Sequence, residues 1–396
     1  MIVVEGSKMK HLAITRAASA RHGSLFESVQ RRIAGVETTI ISCYENEVPA
    51  FVESEIASLY GSIYASMPQF RIYGSSTETS TYLARKNGKI VTLFLFTRDT
   101  STVRVLNEVI NVDEVEIHRF SSYIFSTYPS ISVILFKAVE TNLMQLEFPF
   151  QRCNHLEDIV VSFQDSVEQF NAGFGKNTRR NIKRYMKKLL QDFPTFQFEI
   201  QTKSNIDAQS VREIVRFNSA RMADKNKVSA FNEDEIFRLS MLANECGLLG
   251  VAKIDGRICA GAISYCVGKN YFLNVLAHDP TYDEYWLGIL CCYLTMCECI
   301  QRGAEEFHFL WGRYEYKYTL QGVKRDLDNI AIYRSRMHLF LHFDRAINFS
   351  LHSSLRKLRL FLHDAKKGDT RLAHLATSAF NFIRTLKLNI HRKFVS

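Results

Sequence analysis

Two β-hairpin signatures recur 168 positions apart, and any fold for this chain has to house both. The first, YLARKNGKIVTLFLF, starts at Tyr82, and the second, LGVAKIDGRICAGAISY, starts at Leu249. Aligned, they share Ala-basic-x-(Asn/Asp)-Gly-basic-Ile, from Ala84 to Ile90 and from Ala252 to Ile258. Asn87-Gly88 and Asp255-Gly256 each supply the positive-φ pair that a two-residue hairpin turn demands. β-rich runs flank both turns.

The surroundings repeat as well. A helical pattern precedes each hairpin, over Phe51–Met67 and Ala208–Ala223. A strand follows at the same offset, over Val103–Val109 and Tyr271–Ala277. Next come a helix (Asp113–Thr127; Asp283–Arg302) and another strand (Ile131–Lys137; Glu306–Trp311). A duplicated α/β unit explains this order more simply than two unrelated halves. A length of 396 residues suits two domains with a remainder. The expected division is an N-terminal arm over 1–40, a first unit over 41–170, a second over 171–335 and a helical tail over 336–396.

Charge separates the tail from the body. The chain carries a net charge of +9, and residues 336–396, with 12 Lys/Arg and 3 Asp, account for all of it. A neutral body without aromatics interleaved among cations argues against nucleic-acid binding. The nine cysteines follow no disulfide framework, and Cys291, Cys292, Cys297 and Cys299 share one apolar segment without metal-ligand spacing. No metal is therefore expected, and the compartment is expected to be reducing and cytoplasmic. The longest apolar run, Leu287–Met296, is about half of what a bilayer span needs. No secretory signal is recognisable at the N-terminus.

Between the units, FGKNTRRNIKRYMKKLLQDF (174–193) places Ile182, Tyr185, Met186, Leu189, Leu190 and Phe193 at helical spacing. The opposite face carries Lys176, Arg179, Arg180, Lys183, Arg184, Lys187 and Lys188. This is either a solvated helix face or an anion-binding surface.

The order of helix, hairpin, long strand, helix and strand resembles the GNAT superfamily of acyltransferases. Within it, three stretches resemble the BioF2-like or CelD-like branch associated with cellulose and exopolysaccharide clusters. These are Arg179-Arg180-Asn181-Ile182-Lys183-Arg184, the Gly256 and Gly261 pair around the second hairpin, and Leu310–Lys317 with its Tyr316-Lys317 pair. The resemblance covers Phe174 to about Ser335 and implies an α/β (α+β) fold of two tandem GNAT-like mixed-sheet domains, the first degenerate.

The resemblance further implies acetyl-CoA or another acyl-CoA as co-substrate. The pantetheine arm would pair with a splayed strand at Val275, Leu276 and Ala277. The pyrophosphate would rest at the helix start, Leu287, Gly288 and Ile289, with Arg179 and Arg180 toward the phosphates. Asp283 and Glu284 depart from the family's glycine-rich turn there. The matching turn of the first unit, residues 107–119, has no glycine, so no CoA is expected in it. Tyr316 and Tyr314 are candidate acids for the leaving thiolate, and Lys317 is a candidate for anchoring an acidic group or steadying the oxyanion. His278 and Asp279 are candidate bases.

The acceptor is expected to be the amine of a small molecule or glycan: a sugar precursor, lipid-linked sugar or peptide. Two alternatives stand beside this. One is a FemABX-like aminoacyltransferase, which also pairs two GNAT-like halves but takes its acyl group from charged tRNA; the long helical-hairpin insertion of some such proteins is missing here. The other is a non-catalytic scaffold in a polysaccharide-synthesis complex. The tail, with Leu372, Leu375, Ala379, Phe382, Ile383 and Leu386 at helical spacing among basic residues, suits either packing on the body or peripheral contact with the inner membrane face.

Overall fold

The computed structural model describes residues 39–74, 78–224 and 231–343, together with Ile347 and Arg356. The N-terminal arm and nearly all of the tail lie outside these residues.

The first half runs β1 (Thr39–Tyr44), α1 (Val52–Tyr60), α2 (Met67–Tyr73), β2 (Thr79–Lys86), β3 (Lys89–Asp99), β4 (Thr102–Val105), α3 (Glu114–Thr127), β5 (Val133–Val139) and β6 (Phe150–Ser162). Two helices join the halves, α4 (Val167–Gly173) and α5 (Lys176–Asp192). The second half follows with β7 (Gln197–Thr202), α6 (Ala208–Asp224), α7 (Glu233–Cys246), β8 (Gly247–Ile254), β9 (Arg257–Val267) and β10 (Asn270–His278). It ends with α8 (Leu287–Gln301), β11 (Glu306–His308), α9 (Glu315–Thr319), β12 (Val323–Tyr333) and α10 (Arg336–Leu341).

The duplication is visible in backbone detail. Asn87 and Gly88 have φ of 52° and 82°, and Asp255 and Gly256 have 50° and 72°. Both hairpins carry a register shift at the equivalent step, Ala84/Arg85 and Ala252/Lys253. In each half the fourth strand then pairs parallel with the fifth.

The two halves share one sheet. Its strands lie in the order β1-β2-β3-β4-β5-β12-β6-β11-β10-β9-β8-β7. The last strand of each half sits in the other half's sheet: β12 pairs with β5, and β6 pairs with β11. These exchanged strands also pair antiparallel with each other, from Val323↔Val160 to Ile332↔Phe150. The order reads the same from either end, as a pseudo-twofold axis between β12 and β6 requires.

One sheet face is covered by α3 and α8. α3 packs Ile117, Phe120 and Ile124 against Tyr82, Phe94 and Phe136, and α8 packs Leu290, Cys291 and Met296 against Ala260, Ala262 and Phe307. The buried α8 cysteines are thus core residues, with the Cys291 thiol donating toward the Gly250 carbonyl. On the other face, α6 and α7 pack Val211, Ile214, Leu239 and Leu242 on Leu249, Ile263 and Phe272.

Several elements differ from the periodicity reading. The helix expected over Phe51–Met67 breaks at Gly61, whose φ of 52° ends α1, and a short 3-10 turn at Ile63–Ala65 precedes α2. At Gly61 an added Cβ would stand 2.8 Å from Asn270 Nδ2 of the second half, so a glycine is needed for both conformation and approach. The strand expected over Val103–Val109 stops at Val105. That expected over Glu306–Trp311 stops at His308, because Leu310 (φ 58°) and Gly312 (φ 93°) turn the chain away.

Candidate active site

The second half's sheet opens where β10 and β11 part. They pair only at Asn270↔Glu306, Tyr271↔Phe307 and Phe272↔His308. Beyond Phe272, β10 runs on to His278 along β9, with Val275↔Ile263, Leu276↔Ala262 and Ala277↔Gly261, after a bulge between Leu273 and Val275. The chain after β11 instead follows β6, Phe309 donating to the Ile159 carbonyl at 2.7 Å. Val275, Leu276 and Ala277 therefore present a backbone edge to a V-shaped gap.

The same place in the first half is closed by its own chain. β4 and β5 part after Arg104↔Leu135, but Val109 N donates to Ala138 O at 2.8 Å and Glu140 N to Ile110 O at 2.9 Å. Asn107 is wholly buried and seals the edge of β3 beyond β4, accepting from Leu95 N and donating to Leu93 O. Nothing extended can lie in that gap.

At the open end of the V stands the start of α8. The helix expected from Asp283 begins at Leu287, because Trp286 takes φ 59° and separates α8 from a 3-10 turn at Pro280–Tyr285. Leu287 and Gly288 lie in the first turn, where amide N–H groups lack intrahelical acceptors and the dipole favours an anion. A Cβ on Gly288 would meet His278 Nδ1 at 2.7 Å. His278 in turn lies 2.6 Å from Asp283 Oδ1 through Nε2, and Asp279 accepts from Thr281 N. These two candidate bases shape the turn beside α8.

Basic helix α5 packs against this corner. Tyr185 lies on Trp286 (ring centroids 5.4 Å apart), and the Tyr285 hydroxyl donates to Asp192. Lys188 meets Glu284 at 2.5 Å. Both carboxylates that would repel an anion are thereby engaged, Asp283 by His278 and Glu284 by Lys188. Arg179, Arg180, Lys183, Arg184 and Lys187 remain exposed along α5.

The other arm of the V is the loop Leu310–Tyr314 leading into α9. Lys317 is 2% exposed, and its Nζ donates to the carbonyls of Phe309 (2.7 Å), Leu310 (3.1 Å) and Trp311 (2.7 Å). Burial pulls its pKa down to about 8. All three ammonium hydrogens have acceptors, so Lys317 holds the loop and directs no free N–H at the gap. Arg313 grips the buried Glu157 of β6 through Nε and Nη2. Tyr316 is half-buried against Phe309, with Tyr314 stacked beside it and more exposed. Burial holds the Tyr316 phenol well above the ordinary tyrosine range, so it keeps its proton at neutral pH.

A buried ionic network at the vertex of the V was not foreseen from the sequence. His308 Nδ1 lies 2.7 Å from Asp158 Oδ2, and its Nε2 lies 3.3 Å from Glu306 Oε2. Burial works to lower the His308 pKa, but the two carboxylates outweigh it and hold the imidazole above its usual value. Glu306 is pushed down to about 2, chiefly by the His308 imidazole 3.3 Å away and also by Arg325 at 2.7 Å, against the opposing effect of burial. The His308 ring stacks on Phe272 with centroids 4.2 Å apart. Asp158 and Arg325 meet only because β6 and β12 are exchanged. No pattern local to either segment signals that.

Residues 176–318 match the family model described as an acetyltransferase (GNAT) domain. No curated protein matches the chain. Among solved structures, FemX overlays with a TM-score of 0.53 at 8% identity, covering 74% of this chain and 97% of that one. A conserved protein of unknown function from Bacteroides thetaiotaomicron gives a TM-score of 0.46 at 11% identity, over 73% of this chain and 99% of its own. L-PGS from Bacillus licheniformis gives 0.40 at 13% identity, over 62% and 81%.

Proposed function

On the premise that residues 176–318 are a GNAT acetyltransferase domain, we propose that this acyltransferase takes its acyl group from acyl-CoA, and only in the second half. The observation that carries this reading is the contrast between the two V-shaped gaps. The one between β10 and β11 is open, with the α8 N-terminus and a basic helix at its mouth; its counterpart is zipped shut. In this reading residues 171–335 hold the working site and residues 41–170 are a half that has lost its own.

The pantetheine arm pairs with the edge at Val275–Ala277. Amide N–H groups of Leu287 and Gly288 receive the pyrophosphate, the Ile289 amide being taken by the Trp286 carbonyl at 3.0 Å, and Arg179, Arg180 and their neighbours on α5 face the remaining phosphate. An acceptor amine attacks the thioester carbonyl, forming the C–N bond as the C–S bond breaks. Tyr316 gives its proton to the departing sulfur, and the proton shed by nitrogen restores the phenol through solvent. Tyr314 is the nearest substitute acid. Lys317 acts by fixing the loop that carries both.

Calorimetry with acetyl-CoA tests the donor site. The intact chain is expected to bind one equivalent, and Gly288→Val to abolish binding while still melting cooperatively. Unchanged affinity in that variant would overturn the assignment. The FemX-like overlay extends to the fold alone, so transfer from aminoacyl-tRNA is the competing reading; it predicts no acetyl-CoA binding and product only with charged tRNA.

The acceptor is read as an amine of a sugar, lipid-linked glycan precursor or peptide in envelope or polysaccharide synthesis. Contact of the tail with a membrane surface belongs to the same reading. Its support is the start of the tail, where Met337, Phe340, Leu341 and Phe343 are exposed beside Arg336. No helix among the described residues is long and apolar enough to cross a membrane. Co-sedimentation with anionic vesicles is expected for the full chain and not for one ending at Ser335.

A further inference from the structure

The α1–α2 segment of the first half crosses over to the second. Asn270 Nδ2 donates to Gly61 O, Arg71 bridges Glu53 and Glu245, and the Tyr73 hydroxyl donates to Glu235 Oε1 at 2.9 Å. Tyr64 lies on Trp311 with ring centroids 5.2 Å apart. Between this segment and the sheet lies a cavity of about 160 Å³. Ile63, Tyr64, Gln69 and Tyr73 wall one side; Phe272, Asn274, Tyr265 and Leu310 wall the other, with Glu235 and Leu242 of α7.

Its position is specific. Phe272 is the last β10 residue paired with β11, Asn274 sits at the bulge, and Leu310 starts the diverging arm. The cavity thus meets the vertex of the V from the face opposite α8. That is where an acceptor has to arrive if the thioester lies along β10.

Its chemistry is one-sided. Among the described residues, Glu235 is the one acidic side chain lining the cavity, and no lysine, arginine or histidine lines it. Arg238, half-exposed on α7 outside the lining, stands 3.8 Å from Glu235 and 5.8 Å from the Tyr73 ring centroid. Behind the Phe272 wall, Asp158 and His308 form a pair at 2.7 Å and so offset each other's charge, which leaves Glu235 as the acidic group of the lining. Phenol rings of Tyr64, Tyr73 and Tyr265 and the Phe272 ring complete the lining. Aromatic faces with one carboxylate favour a cation of modest girth.

We infer that this cavity receives the acceptor, as a primary ammonium on a slender alkyl arm, which among the acceptors read above narrows the choice to a peptide-type side-chain amine over a sugar amine, and that the first half supplies its selectivity. The inference rests on the acyltransferase reading for its role, but the binding claim stands separately. The first half is then an acceptor wall, retained after its own gap closed.

The test is calorimetric titration of the full chain with 1,5-diaminopentane and with glucosamine, in the absence of any acyl donor. The diamine is expected to bind and the hexosamine to bind at least tenfold more weakly. Glu235→Gln, which keeps the contact to Tyr73, should weaken diamine binding about tenfold, as loss of a charged partner in a sheltered site does. Tyr64→Trp should weaken it by narrowing the cavity. Melting curves of both variants confirm folding, and titration with acetyl-CoA separates the two claims. Diamine binding without acetyl-CoA binding would sink the donor reading and keep the cavity. Acetyl-CoA binding with no diamine binding, or equal diamine affinity in wild type and both variants, would overturn the cavity assignment. Preference for glucosamine would overturn the slender-arm class.

Discussion

Tyr316 and Lys317 are adjacent in sequence, yet their surroundings give them different work. The phenol packs half-buried against Phe309 in a setting that keeps it protonated, as the proposed proton donor to sulfur has to be. Tyr316→Phe is expected to lower turnover by about 10²-fold with little change in acetyl-CoA affinity, read from steady-state kinetics beside calorimetry. The ammonium of Lys317 is enclosed by three carbonyls. Lys317→Met leaves those acceptors without donors and should cost about 3 kcal/mol in denaturant unfolding. Glu306 links this corner to pH. Its carboxyl, at about 2, lies far below the ordinary value near 4.3. A depressed carboxyl contributes stability that is full above the unfolded value and lost as pH falls through the folded one. Unfolding free energy should therefore fall, by on the order of 3 kcal/mol from this group, between about pH 4.3 and about pH 2. Glu306→Gln should flatten that limb in urea titrations run at stepped pH.

Helix α5 and the hairpins show what could be read from residue order alone. The hairpin turns were legible because Asn-Gly and Asp-Gly are local chemistry, and the two faces of α5 because periodicity is local too. Elements set by distant neighbours were not. The break at Gly61 answers to Asn270 and the late start of α8 to Trp286 held against Tyr185, while β11 ends at the left-handed Leu310 and Gly312 whose loop Lys317 holds from α9. The site follows the same rule. Gly288 and Tyr316 stood out by motif, whereas Asp158 and His308 meet across 150 positions and the cavity draws on both halves. On α5, Arg180, Lys183, Arg184 and Lys187 lie within one or two turns of Lys188, which is anchored to Glu284 at the α8 corner. Replacing Arg180 and Lys183 together by glutamate should raise the acetyl-CoA dissociation constant about tenfold at low salt. The gap should shrink as ionic strength rises, which distinguishes a charge effect from a lost contact.

At the scale of the molecule, the two halves are inseparable. A fragment of residues 171–343 would lack β6, leaving β11 and β12 without the strand that joins them. It is expected to show no cooperative thermal transition by circular dichroism, whereas a fragment starting at residue 146 should recover part of one. The Asp158–His308 pair at the vertex would be lost with the strand, since Asp158 comes from β6 and His308 from the second half.

The exchanged strands also set a timetable for the chain as it leaves the ribosome. Ala138, on the last strand that the first half makes for its own side of the sheet, waits for Asn329, 191 positions later, before its amide finds its acceptor. Until then β5 exposes an unpaired edge, and long-range strand pairing is slow and prone to wrong partners. The nascent first half therefore carries an edge open to mispairing until β12 emerges. A translational stall anywhere before β12 would release a product that can neither close its sheet nor work, so activity arrives all at once or not at all.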